Sequence, residues 1–159
     1  MPSTYTFQTK AHWTERRKGE VKPHEELAAL AFSAPPEFHG ESGFWSPEDL
    51  LLAAVVSCFV ATFGSIAEAS KFPLTALDIT ADGLVEQSDG GLQFTAIQLK
   101  PVLTIKSESD RERGLRLLEK TERGCLIARS LKCKVTMDAT IQLATAAGVE
   151  AVYAGSKAA

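Results

Sequence analysis

Apolar and polar residues alternate along the first part of the chain, as is typical of half-buried strands. The alternation runs through residues 5–13, and a shorter apolar run covers residues 27–32. Between them, the segment TERRKGEV predicts a hairpin that turns at Gly19. This hairpin places Arg16 and Arg17 near its tip.

The segment SPEDLLLAAVVSCFVATF is apolar at nearly every position and predicts a long helix. Ser46 fits the N-cap, Pro47 the first helical position, and the acids Glu48 and Asp49 the first turn. The uncharged run over residues 50–67 approaches the length of a membrane span. Small and hydroxyl residues dilute it, however, and acidic residues flank it. We therefore expect the buried central helix of a protein outside the membrane, ending near residue 70.

The next part of the chain predicts a long hairpin followed by a second helix. Two β-rich runs, residues 77–86 and 92–106, are joined by the turn sequence Ser-Asp-Gly-Gly. Ser107 then caps an amphipathic helix, whose apolar side is expected to carry three leucines: Leu115, Leu117 and Leu118. Gly124 interrupts this helix, and a short new helix is predicted to start at Cys125.

Alternation returns over residues 133–143, which predict the last strand. The complete pattern predicts an α+β fold, in which antiparallel strands wrap around the long central helix and the second helix lies beside it. We expect one domain over residues 1–143. Residues 144–159 show no clear amphipathic period and predict a loosely ordered tail.

Composition narrows the class of protein. The chain has 159 residues, of which 45% are hydrophobic and 23% charged, as in an ordinary globular domain. A formal net charge of −3 argues against nucleic acid as the main partner. The first residues lack the apolar stretch of a secretory signal, so we expect a cytoplasmic protein.

The three cysteines are the candidates for chemistry. They form no CxxC pair, so we predict no metal site, and a reducing compartment makes a structural disulfide framework unexpected. Burial in the apolar helix is expected to raise the pKa of Cys58, whereas a helix start is expected to lower the pKa of Cys125. Cys133 fits ordinary packing in a strand. Without further signals, all three are also compatible with inert buried thiols.

Two motifs together resemble the OsmC/Ohr family of thiol-dependent hydroperoxide reductases. SPEDLLLAAVVSCF, followed by RGCLIARSLK, is similar to the two cysteine motifs of that family. The order of elements around them also agrees, and the similarity covers about residues 8–143. The resemblance implies an OsmC-like fold in an intertwined homodimer, with no metal and no bound organic cofactor.

The resemblance also implies roles for individual residues. Cys58 would be the peroxidatic cysteine, which attacks an organic hydroperoxide, and Cys125 the resolving cysteine; an external dithiol would reduce their disulfide. Because burial disfavours a thiolate, a cation is expected beside Cys58. In the family, an arginine held by a glutamate supplies that cation. Glu48 matches this glutamate, and the first hairpin offers Arg16 and Arg17, of which the spacing favours Arg17.

The sequence departs from the family pattern at two places. Residues 37–40 replace the loop arginine of some members, and Leu126 follows the second cysteine where proline is usual. Arg129, one helical turn after Cys125, is an alternative cation. Other readings of the chain are a non-catalytic protein that binds a small apolar ligand, and a redox sensor.

The helix geometry predicts that the active sites are shared between the subunits of the homodimer. Glu48 and Cys58 lie ten positions apart on one helix, which is about 15 Å along its axis. One arginine cannot reach both groups within a chain. A second copy of the helix, packed antiparallel about a twofold axis, would bring Glu48 of one chain near Cys58 of the other.

Overall fold

The computed structural model describes residues 4–23 and 26–145. The chain forms two compact units, the first ending at Leu51 and the second beginning at Leu52. Beyond residue 145, the predicted C-terminal tail lies outside the described residues. The prediction of a single domain over residues 1–143 stays a prediction.

The first unit contains a three-stranded antiparallel sheet. Its strands are β1 (Lys10–Glu15), β2 (Lys18–Lys22) and β3 (Leu30–Ser33), in that order across the sheet. The first strand was predicted to be half-buried from residue 5, but β1 begins at Lys10 and is exposed throughout. Its alternation reflects apolar side chains that no part of the described chain covers.

The predicted hairpin is present, but its turn lies two residues earlier than expected. Gly19 pairs with Trp13 inside the ladder between β1 and β2. The chain instead reverses at Arg16 and Arg17, and Arg16 adopts a left-handed backbone conformation with φ of 43°. Gly19 is required by close approach rather than by a turn, since a Cβ there would lie 2.5 Å from the carbonyl oxygen of His12.

The predicted start of the long helix α1 (Pro47–Ala69) is confirmed. The hydroxyl of Ser46 accepts a hydrogen bond from the backbone N–H of Asp49, at 3.0 Å. In return, Asp49 Oδ2 accepts from the backbone N–H of Ser46, at 2.9 Å. This reciprocal capping box satisfies two of the N–H groups that a helix start otherwise leaves unpaired.

The second unit is built on a long hairpin and two helices. Strands β4 (Ala76–Ser88) and β5 (Gly91–Ile105) pair antiparallel, as the sequence predicts. They are followed by α2 (Arg111–Gly124) and the short helix α3 (Leu126–Ser130). Gly124 ends α2, in agreement with the predicted interruption.

The predicted last strand is in fact two strands. β6 (Lys134–Met137) and β7 (Thr140–Leu143) both pair parallel with β5, at successive positions along it. Pro101 explains the interruption. The carbonyl of Leu99 accepts a hydrogen bond from Asp138, so Pro101, two residues later, faces the same neighbour and has no N–H to donate.

One face of α1 forms the core of the second unit. Val55, Phe59, Phe63 and Ala67 recur every four residues and are buried. They pack with apolar side chains of β5 and with Leu117 and Leu118 of α2: Ile97, Leu99, Leu103 and Ile105 supply the strand's share. Leu115, predicted to lie on the same apolar side, is instead 39% exposed, because it lies about 200° around the helix from Leu117 at ~100° per residue.

Helix α1 is less covered than its composition predicts. It is long and apolar enough to cross a membrane by length and hydropathy. Its buried stripe, however, packs into the core of the second unit as a core helix does. Val60, on another side of α1, is 42% exposed. The expected burial on all sides is therefore not reached within the described chain.

Candidate active site

Cys58 lies in the middle of α1 and is half-buried. Thr62 follows it by one helical turn, and the Cys58 Sγ and Thr62 Oγ1 atoms are 4.0 Å apart, within hydrogen-bonding distance for sulfur. The break between α2 and α3 also lies beside Thr62. A Cβ at Gly124 would lie 3.6 Å from the methyl group of Thr62.

Helix α3 brings backbone donors to the Cys58 sulfur. Cys125 is both the C-cap of α2 and the N-cap of α3, with an extended backbone. The first N–H groups of a helix have no partner within the helix and are available to an anion. Those of Leu126 and Ile127 hydrogen-bond Cys58.

These hydrogen bonds offset the effect of burial on the pKa of Cys58. Burial acts to raise the pKa of this thiol, and it is the largest single influence. Hydrogen bonds from the backbone of Ile127, from the side chains of Cys125 and Thr62, and from the backbone of Leu126 together outweigh burial. The pKa of Cys58 is therefore lowered, because these donors favour the thiolate. The sequence-based expectation was that a cation would offset burial; among the described residues, uncharged donors do so.

The pKa of Cys125 shifts in the opposite direction. Its side chain is fully buried, and its Sγ lies 4.0 Å from the carbonyl oxygen of Val55, one turn before Cys58. Burial raises the pKa of Cys125 and is the largest influence. Backbone hydrogen bonds from Ala128 and Ile127 act to lower it, whereas the hydrogen bond and the charge of the neighbouring Cys58 raise it further. Because burial prevails over the helix start, the predicted lowering of this pKa is wrong.

Arg16, Arg17 and Glu48 belong to the first unit, whereas Cys58 and Cys125 belong to the second. Arg16 and Arg17 are exposed at the turn between β1 and β2. Arg17 Nη1 donates a hydrogen bond to the backbone oxygen of Phe38, in the loop that precedes α1. Glu48 lies in the first turn of α1; among the described residues, its Oε2 atom is buried without a hydrogen-bond partner.

Cys133 and Arg129, the remaining residues considered in the sequence analysis, differ in where they lie relative to Cys58 and Cys125. Cys133 precedes β6 and packs against the core as a half-buried side chain. Arg129 is exposed and lines a cavity of about 140 Å³. The cavity is lined by side chains of β5, α2, α3 and β6 and by the second cysteine: Leu99, Glu122, Cys125, Ala128, Arg129 and Val135.

Sequence reasoning missed the donors that act on Cys58. Thr62 could have been predicted as a donor, because a hydroxyl one turn after a helical cysteine lies on the same face of the helix. The N–H groups of Leu126 and Ile127 could not have been predicted, because the pattern of side chains does not indicate which backbone groups meet a distant residue. Among the described residues, no group of three or more metal-ligating side chains occurs.

Comparison with known proteins agrees with this architecture. The family model described as OsmC-like protein matches residues 39–140. An uncharacterised protein of Bacillus subtilis, YmaD, is 25% identical over 142 residues, covering 86% of this chain and 95% of its own. The peroxiredoxin OsmC of Shigella flexneri is 29% identical over 133 residues, covering 81% of this chain and 92% of its own.

A solved structure agrees as well. The organic hydroperoxide resistance protein OsmC of Legionella pneumophila superposes with a TM-score of 0.70 at 23% identity, covering 89% of this chain and 99% of that one. This likeness concerns the fold. With the family model matching well over half of its length, the chain belongs to the OsmC-like protein family.

Proposed function

We propose that the protein is a thiol-dependent peroxidase that reduces organic hydroperoxides through Cys58 and Cys125. The observation that carries the proposal is that the pKa values of two neighbouring thiols are shifted in opposite directions. The pKa of Cys58 is lowered and that of its neighbour Cys125 is raised. A thiolate is the nucleophile in such chemistry, and a neighbouring protonated thiol is needed to stabilise it and to react second.

The proposed reaction has two steps on the protein. The Cys58 thiolate attacks one oxygen of the hydroperoxide; the O–O bond breaks, and the alkoxide leaves and takes up a proton to become an alcohol. Cys58 becomes a sulfenic acid. The Cys125 sulfur then attacks the Cys58 sulfur, which forms the disulfide and releases water. An external dithiol reduces the disulfide.

The same contacts provide an order for the two steps. While Cys58 is a thiolate, its charge and its hydrogen bond raise the pKa of Cys125 and keep that thiol protonated. Oxidation converts Cys58 to a neutral sulfenic acid and removes this effect. Cys125 then ionises more readily, at the moment when its thiolate is required.

The name of the Shigella relative, a peroxiredoxin, supports the reaction class. The name of the Legionella structure, an organic hydroperoxide resistance protein, supports the substrate class. A bulky organic peroxide also suits the apolar surroundings of Cys58, where Leu126 is 64% exposed directly beside the thiol's backbone donors.

We further propose that the working form is a homodimer with shared active sites. Glu48 Oε2 is buried and unpartnered among the described residues, and an unpaired buried carboxylate oxygen is costly. An arginine from the hairpin turn, Arg17 rather than Arg16, is the proposed partner and the cation beside Cys58. Because Glu48 and Cys58 are about 15 Å apart along α1, the composite site requires a second chain. The uncovered side of α1 at Val60 supports such a partner.

The alternative is a non-catalytic protein that binds a fatty or aromatic ligand, for which cavities of about 360 and 320 Å³ elsewhere in the described chain have sufficient volume. The cavity beside Cys125 does not suit such a ligand. At about 140 Å³, it is smaller than the ~300–1,000 Å³ typical of ligand pockets.

Peptide mapping after one equivalent of cumene hydroperoxide tests the proposed reaction. The expected product is a disulfide between Cys58 and Cys125. Cys58→Ser should abolish peroxide consumption, whereas Cys125→Ser should consume one equivalent and stop at the sulfenic acid. Cys133→Ser is the matched control and should keep full turnover. A crosslink to Cys133, or three unmodified thiols, would refute the proposal.

A further inference from the structure

Lys18, the first residue of β2, is enclosed by groups from β1 and from the loop of residues 34–46 that precedes α1. Its Nζ atom lies 3.0 Å from Glu15 Oε1, at the end of β1, and 3.1 Å from Glu41 Oε2, in the loop. The same atom lies 5.1 Å from the ring centroid of Phe44, also in the loop. The Lys18 side chain is 18% exposed. The lysine is therefore held between the hairpin and the loop.

These contacts differ from those of an ordinary surface ion pair. An isolated pair contributes little to stability in water, whereas one ammonium group here meets two carboxylates and an aromatic ring. Hydrogen bonds to Glu15 and Glu41 raise the pKa of Lys18, so it remains charged near neutral pH. Without this charge, no cation would lie between the two carboxylates, and they would repel each other.

The neighbouring residue, Arg17, is attached to the same loop. Its backbone carbonyl accepts a hydrogen bond from the N–H of Ala34, at 3.0 Å, and its guanidinium donates to the carbonyl oxygen of Phe38. The bond to Phe38 uses one of the five N–H groups that a guanidinium carries. The others are available to a carboxylate and a thiolate.

We propose that Lys18 is a positioning residue for Arg17. It fastens the loop to the hairpin turn, so that the carbonyl group of Phe38 holds the guanidinium in one direction. The inference rests on the proposed function, in which Arg17 is the cation beside Cys58. A long exposed side chain otherwise samples many rotamers, and a cation that is already oriented stabilises an anion without that loss of freedom. Lys18 thus acts on the thiol only through Arg17.

Alkylation of Cys58 by iodoacetamide at neutral pH, measured on the reduced full-length protein, tests the inference. Lys18→Met removes the charge but keeps an unbranched side chain. It should slow the reaction by about threefold, against about tenfold or more for Arg17→Ala. Adding Lys18→Met to Arg17→Ala should cause no further slowing, because Lys18 acts through the arginine. Lys18→Arg keeps the cation and should restore the rate. Lys10→Met, at an exposed position of the same sheet, is the matched control and should have no effect.

The possible outcomes separate this inference from the proposed function. A full rate in Lys18→Met beside a slow Arg17→Ala would overturn the inference and leave the proposed function intact. Additive slowing in the double variant would also overturn it, since Lys18 would then act on the thiol independently. An unchanged rate in Arg17→Ala would refute the proposed cation, and with it any role of Lys18 at the thiol.

Hydrogen exchange measures the fastening of the loop itself, without reference to the thiols. Lys18 pairs with Ser33 across the ladder between β2 and β3, and the Ser33 hydroxyl accepts a hydrogen bond from the N–H of Glu41, at 2.9 Å. Lys18→Met should speed exchange of the Glu41 and Ala34 amides by about tenfold, whereas Lys10→Met should not. Equal exchange in both variants and the wild type would show that Lys18 does not hold the loop, and would overturn the inference.

Discussion

At the scale of single residues, the Cys58 thiolate is stabilised by several weak donors rather than by one dominant group. Two backbone N–H groups, one hydroxyl and one thiol act against the effect of burial. None of these four is a cation. The described contacts therefore already lower the pKa of Cys58, and any arginine supplied by a partner chain would lower it further.

Removal of one donor should move the pKa of Cys58 measurably. Thr62→Val deletes the hydroxyl that lies 4.0 Å from Cys58 Sγ while keeping the side-chain shape. We expect the midpoint of the pH profile for alkylation of Cys58 by iodoacetamide to rise by about half a unit, since one donor of several is lost. Thr62→Ser keeps the hydroxyl and should restore the original midpoint. An unchanged midpoint in Thr62→Val would show that the hydroxyl does not stabilise the thiolate.

Arg17 provides a second test at this scale. If Arg17 is the cation beside Cys58, Arg17→Ala should slow alkylation of Cys58 at neutral pH by at least about tenfold, because a shift of one pKa unit changes the thiolate fraction by that amount. The matched control is Arg16→Asn, since Arg16 has a positive φ that asparagine tolerates better than alanine. Equal rates in both variants and the wild type would move the role to Arg129 or to no arginine.

At the scale of elements, the capping box of α1 fixes where the helix begins. Ser46→Ala removes the acceptor for the backbone N–H of Asp49, and we expect a loss of about 1 kcal/mol in the free energy of unfolding. Ser57→Ala makes the same substitution in the same helix, where the hydroxyl bonds only the carbonyl of Ala54 and is exposed. It should be neutral or slightly stabilising. Urea unfolding measures both, and an equal effect would contradict the role of the cap.

Local elements were predictable from the sequence, whereas non-local pairings were not. The start at Ser46 and the hairpin of β4 and β5 depend on residues a few positions apart, and both were predicted. The split of the last strand depends on Pro101 facing a segment almost forty residues later, so the alternation of residues 133–143 could not reveal it. Likewise, the proximity of Cys125 to Cys58 was expected only from the family resemblance. The backbone donors of α3 were predicted neither by the sequence pattern nor by the resemblance.

At the scale of the whole molecule, we expect an obligate homodimer with composite sites. A Glu48→Ala chain and a Cys58→Ser chain should each be inactive, while mixing them should restore about a quarter of the wild-type activity. Half of the dimers formed would then be mixed, and each would keep one intact site of two. Sedimentation at micromolar concentration should give a dimer. A monomer, or no recovery despite proven subunit exchange, would refute the shared site.

The positions of the two tryptophans allow changes at the hairpin turn to be followed by fluorescence. Both tryptophans of the chain, Trp13 and Trp45, precede Leu51 and are substantially exposed. The indole of Trp13 donates a hydrogen bond to the carbonyl oxygen of Arg16 at 3.0 Å, and so is bound to the turn that carries Arg17. The fluorescence of Trp13 therefore reports on the turn that carries Arg17. A change in this emission on oxidation of Cys58 would report, without any label, that the turn responds to the redox state of the thiol.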